Sequence, residues 1–311
     1  MPTAINVLQI GATKENPFTI VIAANPALET PWNSGLFTPD PILGDQPGFD
    51  ATAQYVLSAL FGGLPGQREV FLTDAVIQSN IRVVTLFVDD PPPAATDPNA
   101  LVAQDDPHIS NQLIARRSVF NAFLARYGLH ADVAFAVSAS PTHTRATSWY
   151  TTDDDTRGGV PFSSDGMLLN HRYHAIIPGT VAIHITSASL TALHEFGHAL
   201  SSYTNGSVTD LYVDSTPALN NKNRLPATAI PANFADYNGV MLTTDPTRNG
   251  LGYPPGWASY HCELNNAVVP SVMDDYWQAP TAHPGSTVEE CEHDRITRQF
   301  LRDRLLAKLA R

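Results

Sequence analysis

The sequence predicts an α/β fold in which a mixed, twisted sheet carries helices. Four runs rich in β-branched residues and bounded by Pro, Gly or Asp indicate strands at 18–25, 81–90, 132–139 and 179–186. Apolar residues at spacings of three and four indicate amphipathic helices at 49–62 and 109–128, and Gly128 is suited to end the second helix. Strands that alternate with helices in this way favour a layered domain with helices packed on a sheet.

The pattern of the sequence changes after residue 205. Residues 206–288 are dominated by Asn, Pro, Gly, Thr and Asp and contain few regular runs. The last segment, 288–311, has apolar residues at helical spacing, namely Ile296, Phe300, Leu301, Leu305 and Leu309. We therefore expect an N-terminal α/β subdomain over 1–205 and an irregular C-terminal subdomain over 206–311, ending in a helix that packs back on the body.

Composition and charge exclude several classes of partner. The chain has 311 residues, of which 43% are hydrophobic, so it can bury a sizeable core. Its 30 acidic and 18 basic residues give a net charge of −12, which argues against nucleic acid and anionic membranes as partners. No segment approaches the roughly 18 consecutive apolar residues of a membrane span, and the start lacks a signal-peptide pattern. We expect a monomer, cytoplasmic by default, or secreted if a signal was removed before Met1.

A His-Glu-Phe-Gly-His motif at 194–198 carries the clearest chemical signal. Residues four apart lie on one face of a helix, so His194 and His198 can present two imidazole nitrogens to one zinc ion. Glu195 lies beside them, where its carboxylate could deprotonate a water on that ion. The motif therefore predicts a zinc site on a helix, with Glu195 as a candidate general base.

The helix around this motif has candidate signals at both ends. Ser and Thr residues in 185–191 could cap its N-terminus, and Asn205-Gly206 is suited to stop it. The strand before it, 179–186, would then lead directly into the metal-binding helix.

This strand and helix resemble the active-site strand and helix of zincin metallopeptidases. The resemblance implies a third zinc ligand, because catalytic zinc keeps three protein ligands and one open position. The metzincin pattern would place Gly at 201 and His at 204, but the chain has Ser201 and Thr204. Asp210-Leu211-Tyr212 is similar to the Asp-Glu-Tyr of IgA-cleaving bacterial metallopeptidases, in which the Asp is the third ligand. Asp210 is accordingly the leading candidate, and the alternatives Asp214, His261 and Glu263 stay open.

A second segment adds to the metzincin resemblance. The sequence Pro-Ser-Val-Met-Asp-Asp-Tyr at 270–276 is similar to the methionine turn that lies beneath the metal in that family. The resemblance implies this position for Met273 and implies that Tyr276 helps to stabilise the oxyanion, although the tyrosine comes three residues after the methionine rather than two. The alternative is that Met273 is a core residue that fills a gap between the subdomains.

Three other groups of residues have weaker signals. Asp153, Asp154 and Asp155 could bind Ca²⁺, but an acidic run is more often only solvated. Cys262 and Cys291 could form a disulfide or stay as two free thiols. His171, His174 and His184 precede the helix and are expected to be packing or surface residues rather than ligands.

Taken with the resemblance, these observations predict a metzincin-like zincin with an active-site helix above the irregular C-terminal subdomain. The expected function is zinc-dependent hydrolysis of peptide bonds in a peptide or protein substrate, which would lie extended along an edge strand near 181–186. Two alternatives are a zinc-containing binding module without hydrolysis and a hydrolase of a non-peptide amide. Glu195 favours an enzyme, because a structural zinc site has no need of a carboxylate beside its first ligand.

Overall fold

The protein has a mixed α/β fold. Its computed structural model describes residues 3–9, 17–69, 71–88, 99–104, 111–149, 151, 161–163, 178–187, 190–201, 207–208, 241–243, 259–261, 271–273, 276–282, 284–293 and 295–310. The strands are β1 Ala4–Gln9, β2 Phe18–Ala24, β3 Ala27–Glu29, β4 Phe37–Pro39, β5 Ile81–Phe87, β6 Val102–Gln104, β7 Leu113–Ala115, β8 Val133–Ser138, β9 Thr147–Trp149, β10 Pro161–Ser163, β11 Gly179–His184, β12 Ser207–Val208, β13 Met241–Thr243 and β14 Ser259–His261. The α-helices are α1 Gln46–Phe61, α2 Ala75–Gln78, α3 Arg117–Ala125, α4 Thr191–Leu200, α5 Ala279–Ala282 and α6 Arg295–Leu309.

A seven-stranded mixed sheet forms the centre of the described fold. Its strand order is β1-β5-β2-β8-β11-β9-β10. The four strands predicted from the sequence, β2, β5, β8 and β11, form its parallel middle, and β1 and β9 run antiparallel to the strands that they border. The predicted mixed sheet with helices is therefore confirmed.

The two faces of this sheet bury different residues. Alternate residues of β2 point to opposite faces, so Ile20 and Ile22 join one hydrophobic cluster while Val21 and Ala23 join another. The first cluster also contains the apolar sides of α1, α4 and α6, and the second contains that of α3. The helix with the His-Glu-Phe-Gly-His motif thus packs on the same face as α1 and the C-terminal helix.

Two smaller sheets accompany the central one. One has the order β4-β3-β6-β7, and the other has the order β12-β14-β13. In the second, β12 pairs in parallel with β14, so that Val208 lies opposite Tyr260. This pairing connects the chain that leaves α4 to the strand that contains His261.

The prediction that residues 181–186 form an edge strand is wrong. The observed strand β11 ends at His184 and has a neighbour on each side, because Val181 pairs with Phe135 of β8 and with Ser148 of β9. The pairing with β9 covers residues 180–182, so this part of β11 has no free hydrogen-bonding edge for a substrate, whereas Ile183 and His184 pair with β8 alone.

The prediction of one helix over 109–128 is only partly confirmed. Residues 113–115 are instead strand β7, which pairs with β6, and all three are fully buried. A surface helix would expose one of three consecutive residues, whereas a covered strand buries them all. The helix α3 ends as predicted near Gly128, whose φ of +67° permits amide hydrogen bonds from residues 128 and 129 to the carbonyl oxygens of residues 125 and 124.

The C-terminal helix α6 packs on the body of the protein, as predicted. Its buried residues Phe300, Leu301, Leu305 and Leu309 join the hydrophobic cluster that also contains the apolar residues of α4. The predicted subdomain boundary at 205 and 206 lies outside the described residues and stays a prediction. Among the helices that the structure describes, none has the length and apolar character needed to cross a membrane.

Candidate metal and catalytic site

The two histidines and the glutamate of the motif lie together on α4 and are almost fully buried. The exposed fractions of His194, Glu195 and His198 are 2%, 1% and 0%. The two imidazole ring centroids are 5.0 Å apart, as expected for residues four apart on a helix. The sequence prediction that both histidines share one helix face is confirmed.

The ends of this helix differ from the predicted ones. Its N-cap residue is Leu190, which makes no side-chain cap hydrogen bond, so the N-cap is not the expected Ser or Thr. The helix ends at Leu200, because Ser201 adopts an extended conformation with ψ of 169°. The predicted stop at Asn205-Gly206 lies outside the described residues.

Backbone carbonyl groups orient both histidines. Nδ1 of His194 lies 2.6 Å from the carbonyl oxygen of Val272, and Nδ1 of His198 lies 2.7 Å from that of Val208. A carbonyl oxygen only accepts hydrogen bonds, so Nδ1 is the protonated nitrogen in each neutral ring and Nε2 carries the lone pair. A histidine that binds a metal through one nitrogen typically donates a hydrogen bond from the other in this way. These two side chains therefore fit a zinc site.

Ser201 places one of those two carbonyl groups. Its hydroxyl donates to the carbonyl oxygen of Gly197 at 3.0 Å and accepts from the Val208 amide at 2.9 Å. These bonds hold β12 against the end of α4, which brings the Val208 carbonyl to His198. The serine at the position where metzincins have glycine thus has a structural role.

Met273 packs against Gly197 of α4, and its role as a methionine turn stays a prediction. It is fully buried, and a Cβ atom added to Gly197 would come within 2.8 Å of its sulfur. Glycine between the two histidines therefore leaves the space that Met273 fills. Met273 also belongs to the first hydrophobic cluster, so its position equally fits the alternative that it is a core residue.

Tyr276 lies beside the first histidine. Its ring centroid is 5.5 Å from that of His194, and its hydroxyl oxygen is 2.6 Å from the Thr191 hydroxyl. Because Thr191 is the first residue of α4, this hydrogen bond ties the tyrosine to the start of the helix that contains both histidines. The structure thus brings Tyr276 to the site.

A cavity of about 500 Å³ opens onto these residues. Its walls are formed by Thr144, Arg145, Ala146, Thr186, Ser187, Thr191, His194, Glu195, Tyr276 and Trp277. This volume falls within the range of about 300–1,000 Å³ that is usual for ligand pockets. The cavity therefore brings a ligand to the candidate base and to the candidate oxyanion donor together.

A hydrogen bond to Glu195 was not predicted from the sequence. The hydroxyl of Ser148, on β9, donates to Oε2 of Glu195 at 2.6 Å, and Ser148 is fully buried. Ser148 is 47 residues from Glu195 in sequence and belongs to no motif. Only the pairing of β9 with β11 brings the two together, so the contact has no local sequence signal.

A buried charged cluster lies behind the site. Glu69 Oε2 accepts from the backbone amide of His293 at 2.6 Å, lies 3.1 Å from Nδ1 of the same residue, and pairs with Arg298 at 3.3 Å. Burial acts to raise the pKa of Glu69, but the hydrogen bond from His293 and the charges of His293 and Arg298 outweigh it and lower the pKa to about 2. The His293 ring lies close to Gly197, so the cluster supports α4 from below.

The candidates for the third ligand lie outside the side chains that the structure describes. Asp210, Asp214 and Glu263 lie outside the described residues, and His261 is described only as part of the backbone of β14. Among the side chains that the structure describes, no group of three His, Cys, Asp or Glu could hold a metal ion. The third ligand thus stays a prediction.

The weaker sequence signals are mostly outside the described residues. These are Asp153, Asp154, Asp155, Cys262, His171 and His174. Cys291 is a buried thiol whose Sγ lies 3.9 Å from the Tyr276 carbonyl oxygen, which favours the alternative of two thiols over a disulfide with Cys262. His184 is the packing residue that was expected, since its Nε2 contacts the Ser140 carbonyl oxygen at 3.0 Å and its Nδ1 accepts from the Thr186 amide.

Comparison with known proteins adds no family to this description. No protein-family model matches the chain, and no curated protein matches it. Any assignment of function therefore depends on the geometry of α4 and of the groups around it.

Proposed function

We propose that the protein is a zinc-dependent peptidase of the metzincin-like type, which hydrolyses peptide bonds in a peptide or protein substrate. The observation that carries the proposal is the paired orientation of His194 and His198 by two backbone carbonyl groups. Histidines packed only for stability have no need of two matching tautomers on one helix face. Glu195 lies between them in sequence and faces a cavity large enough for a ligand.

His194 and His198 would hold the zinc through Nε2. Asp210 is the leading third ligand, because it follows Val208 by two residues and Val208 contacts His198. His261 stays an alternative, because Tyr260 pairs with Val208 and precedes His261. When bound, zinc supplies a Lewis acid that polarises the substrate carbonyl group and makes water more acidic.

The side chains of the protein perform the proton transfers. The Glu195 carboxylate takes a proton from the attacking water and then passes it to the leaving amine. The Tyr276 hydroxyl, on the same cavity wall, donates a hydrogen bond to the oxyanion that develops on the substrate. The substrate lies in the cavity against residues 144–146 and 186–187 rather than along residues 180–182 of β11, which pair with a strand on each side.

Three features support the metzincin-like assignment. They are the central parallel strands that lead into α4, the position of Met273 under Gly197, and the contact of Tyr276 with the start of the helix. The carboxylate of Glu195 on the cavity wall favours hydrolysis over a binding module without catalysis.

Metal analysis together with a cleavage assay tests the proposal. Protein purified without chelator should contain about one zinc ion per chain and should cleave members of a peptide library. His194→Ala and His198→Ala should each lose zinc and activity, whereas His130→Ala, at an exposed position outside the site, should keep both. Zinc-loaded protein that binds peptides but cleaves none would indicate the binding module, and cleavage of simple amides alone would indicate the non-peptide hydrolase.

A further inference from the structure

The hydroxyl of Ser148 makes the short contact of 2.6 Å with Oε2 of Glu195 inside the protein. The exposed fractions of the two residues are 0% and 1%. A carboxylate only accepts hydrogen bonds, so Ser148 is the donor when Glu195 is ionised. A distance of 2.6 Å is typical of an O–H group that donates to a charged oxygen.

The sheet determines which way Ser148 faces. Ser148 pairs with Val181 of β11 on one side and with Phe162 of β10 on the other. Its neighbours in β9 face the opposite side, where Trp149 joins the second hydrophobic cluster and the Thr147 hydroxyl donates to the Leu113 carbonyl oxygen at 2.6 Å. Strand alternation therefore directs Ser148 alone among these three residues towards α4.

Ser148 does not form part of the cavity wall, whereas Glu195 does. The serine therefore cannot reach a substrate and can act only through the carboxylate. A strand that is paired on both sides is a rigid support for such a contact, and groups that position a catalytic residue are most effective on rigid elements.

We propose that Ser148 is a positioning residue for the general base, which holds Oε2 so that the Glu195 carboxylate meets the attacking water in a productive orientation. This inference rests on the proposed peptidase function. Loss of a hydrogen bond to a charged group can change a reaction rate by about 10- to 100-fold. Displacement of a catalytic group by about 1 Å can have an effect of the same size.

Ser148→Ala tests the inference, with Thr147→Val as its matched control. Both changes remove one buried hydroxyl from β9, but only the first removes a contact with Glu195. Ser148→Ala should lower kcat about 10- to 100-fold while KM and zinc content change less than about twofold. Thr147→Val should keep a kcat near that of the wild type, and Ser148→Thr, which retains a hydroxyl donor, should recover most of the loss.

A measurement on metal-free protein tests the contact without activity. Ser148→Ala should lower the thermal midpoint of the apo-protein more in the wild-type background than in a Glu195→Ala background. The reason is that the Ser148 hydroxyl stabilises the fold through its hydrogen bond to Glu195 only when that carboxylate is present. Equal shifts in both backgrounds would overturn the inference.

The kinetic outcomes separate the two proposals. If the wild type cleaves peptides and Ser148→Ala has the same kcat as Thr147→Val, the positioning role is wrong and the peptidase function stands. If the wild type contains zinc and cleaves no peptide, the proposed function itself is wrong.

Discussion

At the scale of single residues, the site depends on backbone groups more than on side chains around it. The carbonyl oxygens of Val272 and Val208 select the tautomer of each histidine. The sequence does not indicate which carbonyl groups do this, because every residue has one. The motif at 194–198 is therefore predictable from the sequence, whereas the carbonyl groups that orient its two histidines are not.

The third ligand provides a prediction at the same scale. Asp210→Ala should weaken zinc binding far more than Asp214→Ala, because the first change removes a ligand and the second only a nearby carboxylate. Zinc affinity of the two variants, measured by competition with a chelator, checks this expectation. Equal and small losses would instead point to His261 or Glu263.

At the scale of elements, the close approach of β11 to α4 sets the geometry of the site. A Cβ atom on Gly179, at the start of β11, would lie 2.0 Å from the Ala199 carbonyl oxygen in the last turn of α4. Backbone cannot yield as a side chain can, so only glycine permits this distance. The strand and the helix are thereby held together next to His198.

Gly179→Ala should therefore destabilise the protein by about 2 kcal/mol or more and should weaken zinc binding. Gly44→Ala is the matched control, because an added Cβ there meets no atom within 4 Å, and it should change stability by less than about 0.5 kcal/mol. Urea unfolding of the two variants measures the difference. An equally small effect of Gly179→Ala would show that β11 and α4 are not in such close contact.

The elements also show where sequence patterns stop being informative. Strands β2, β5, β8 and β11 are predictable from the sequence, because each is a run of buried residues that only the exposed Arg82 of β5 interrupts. The sequence predicts a helix where strand β7 is observed, because Leu113 fits both a helical spacing and a short buried strand. Only the pairing of β7 with β6 decides between the two. Short strand β9 has no pattern of its own, so the sequence does not indicate the contact of Ser148 with Glu195.

At the scale of the whole molecule, the cluster of Glu69, His293 and Arg298 connects the N-terminal half to α6 and to the underside of the site. Because the folded protein holds the pKa of Glu69 at about 2, below its usual value of 4.5, ionised Glu69 stabilises the fold. The contribution, about 3 kcal/mol, is present in full above about pH 4.5 and is lost as the pH falls towards 2.

Glu69→Gln should remove most of this dependence on pH between 4.5 and 2. Asp74→Asn is the comparison variant: Asp74 also pairs with α6, and the hydrogen bond from Arg302 at 3.1 Å lowers its pKa, but both side chains are about one-third exposed, so its loss should change the pH dependence less. The free energy of unfolding of the three proteins, measured from pH 2 to pH 7, checks the expectation. A curve for Glu69→Gln parallel to that of the wild type would show that the cluster does not stabilise the fold in this way.

The most direct test of zinc-dependent hydrolysis with Glu195 as the base is the substitution Glu195→Gln, with zinc content and peptide cleavage measured on the same samples. Glutamine keeps the shape of the side chain and leaves both histidines in place, so zinc content should match that of the wild type. Cleavage should fall by about 10²–10⁴-fold, because only the proton transfer is lost. Cleavage at the wild-type rate in the zinc-loaded variant would contradict the mechanism.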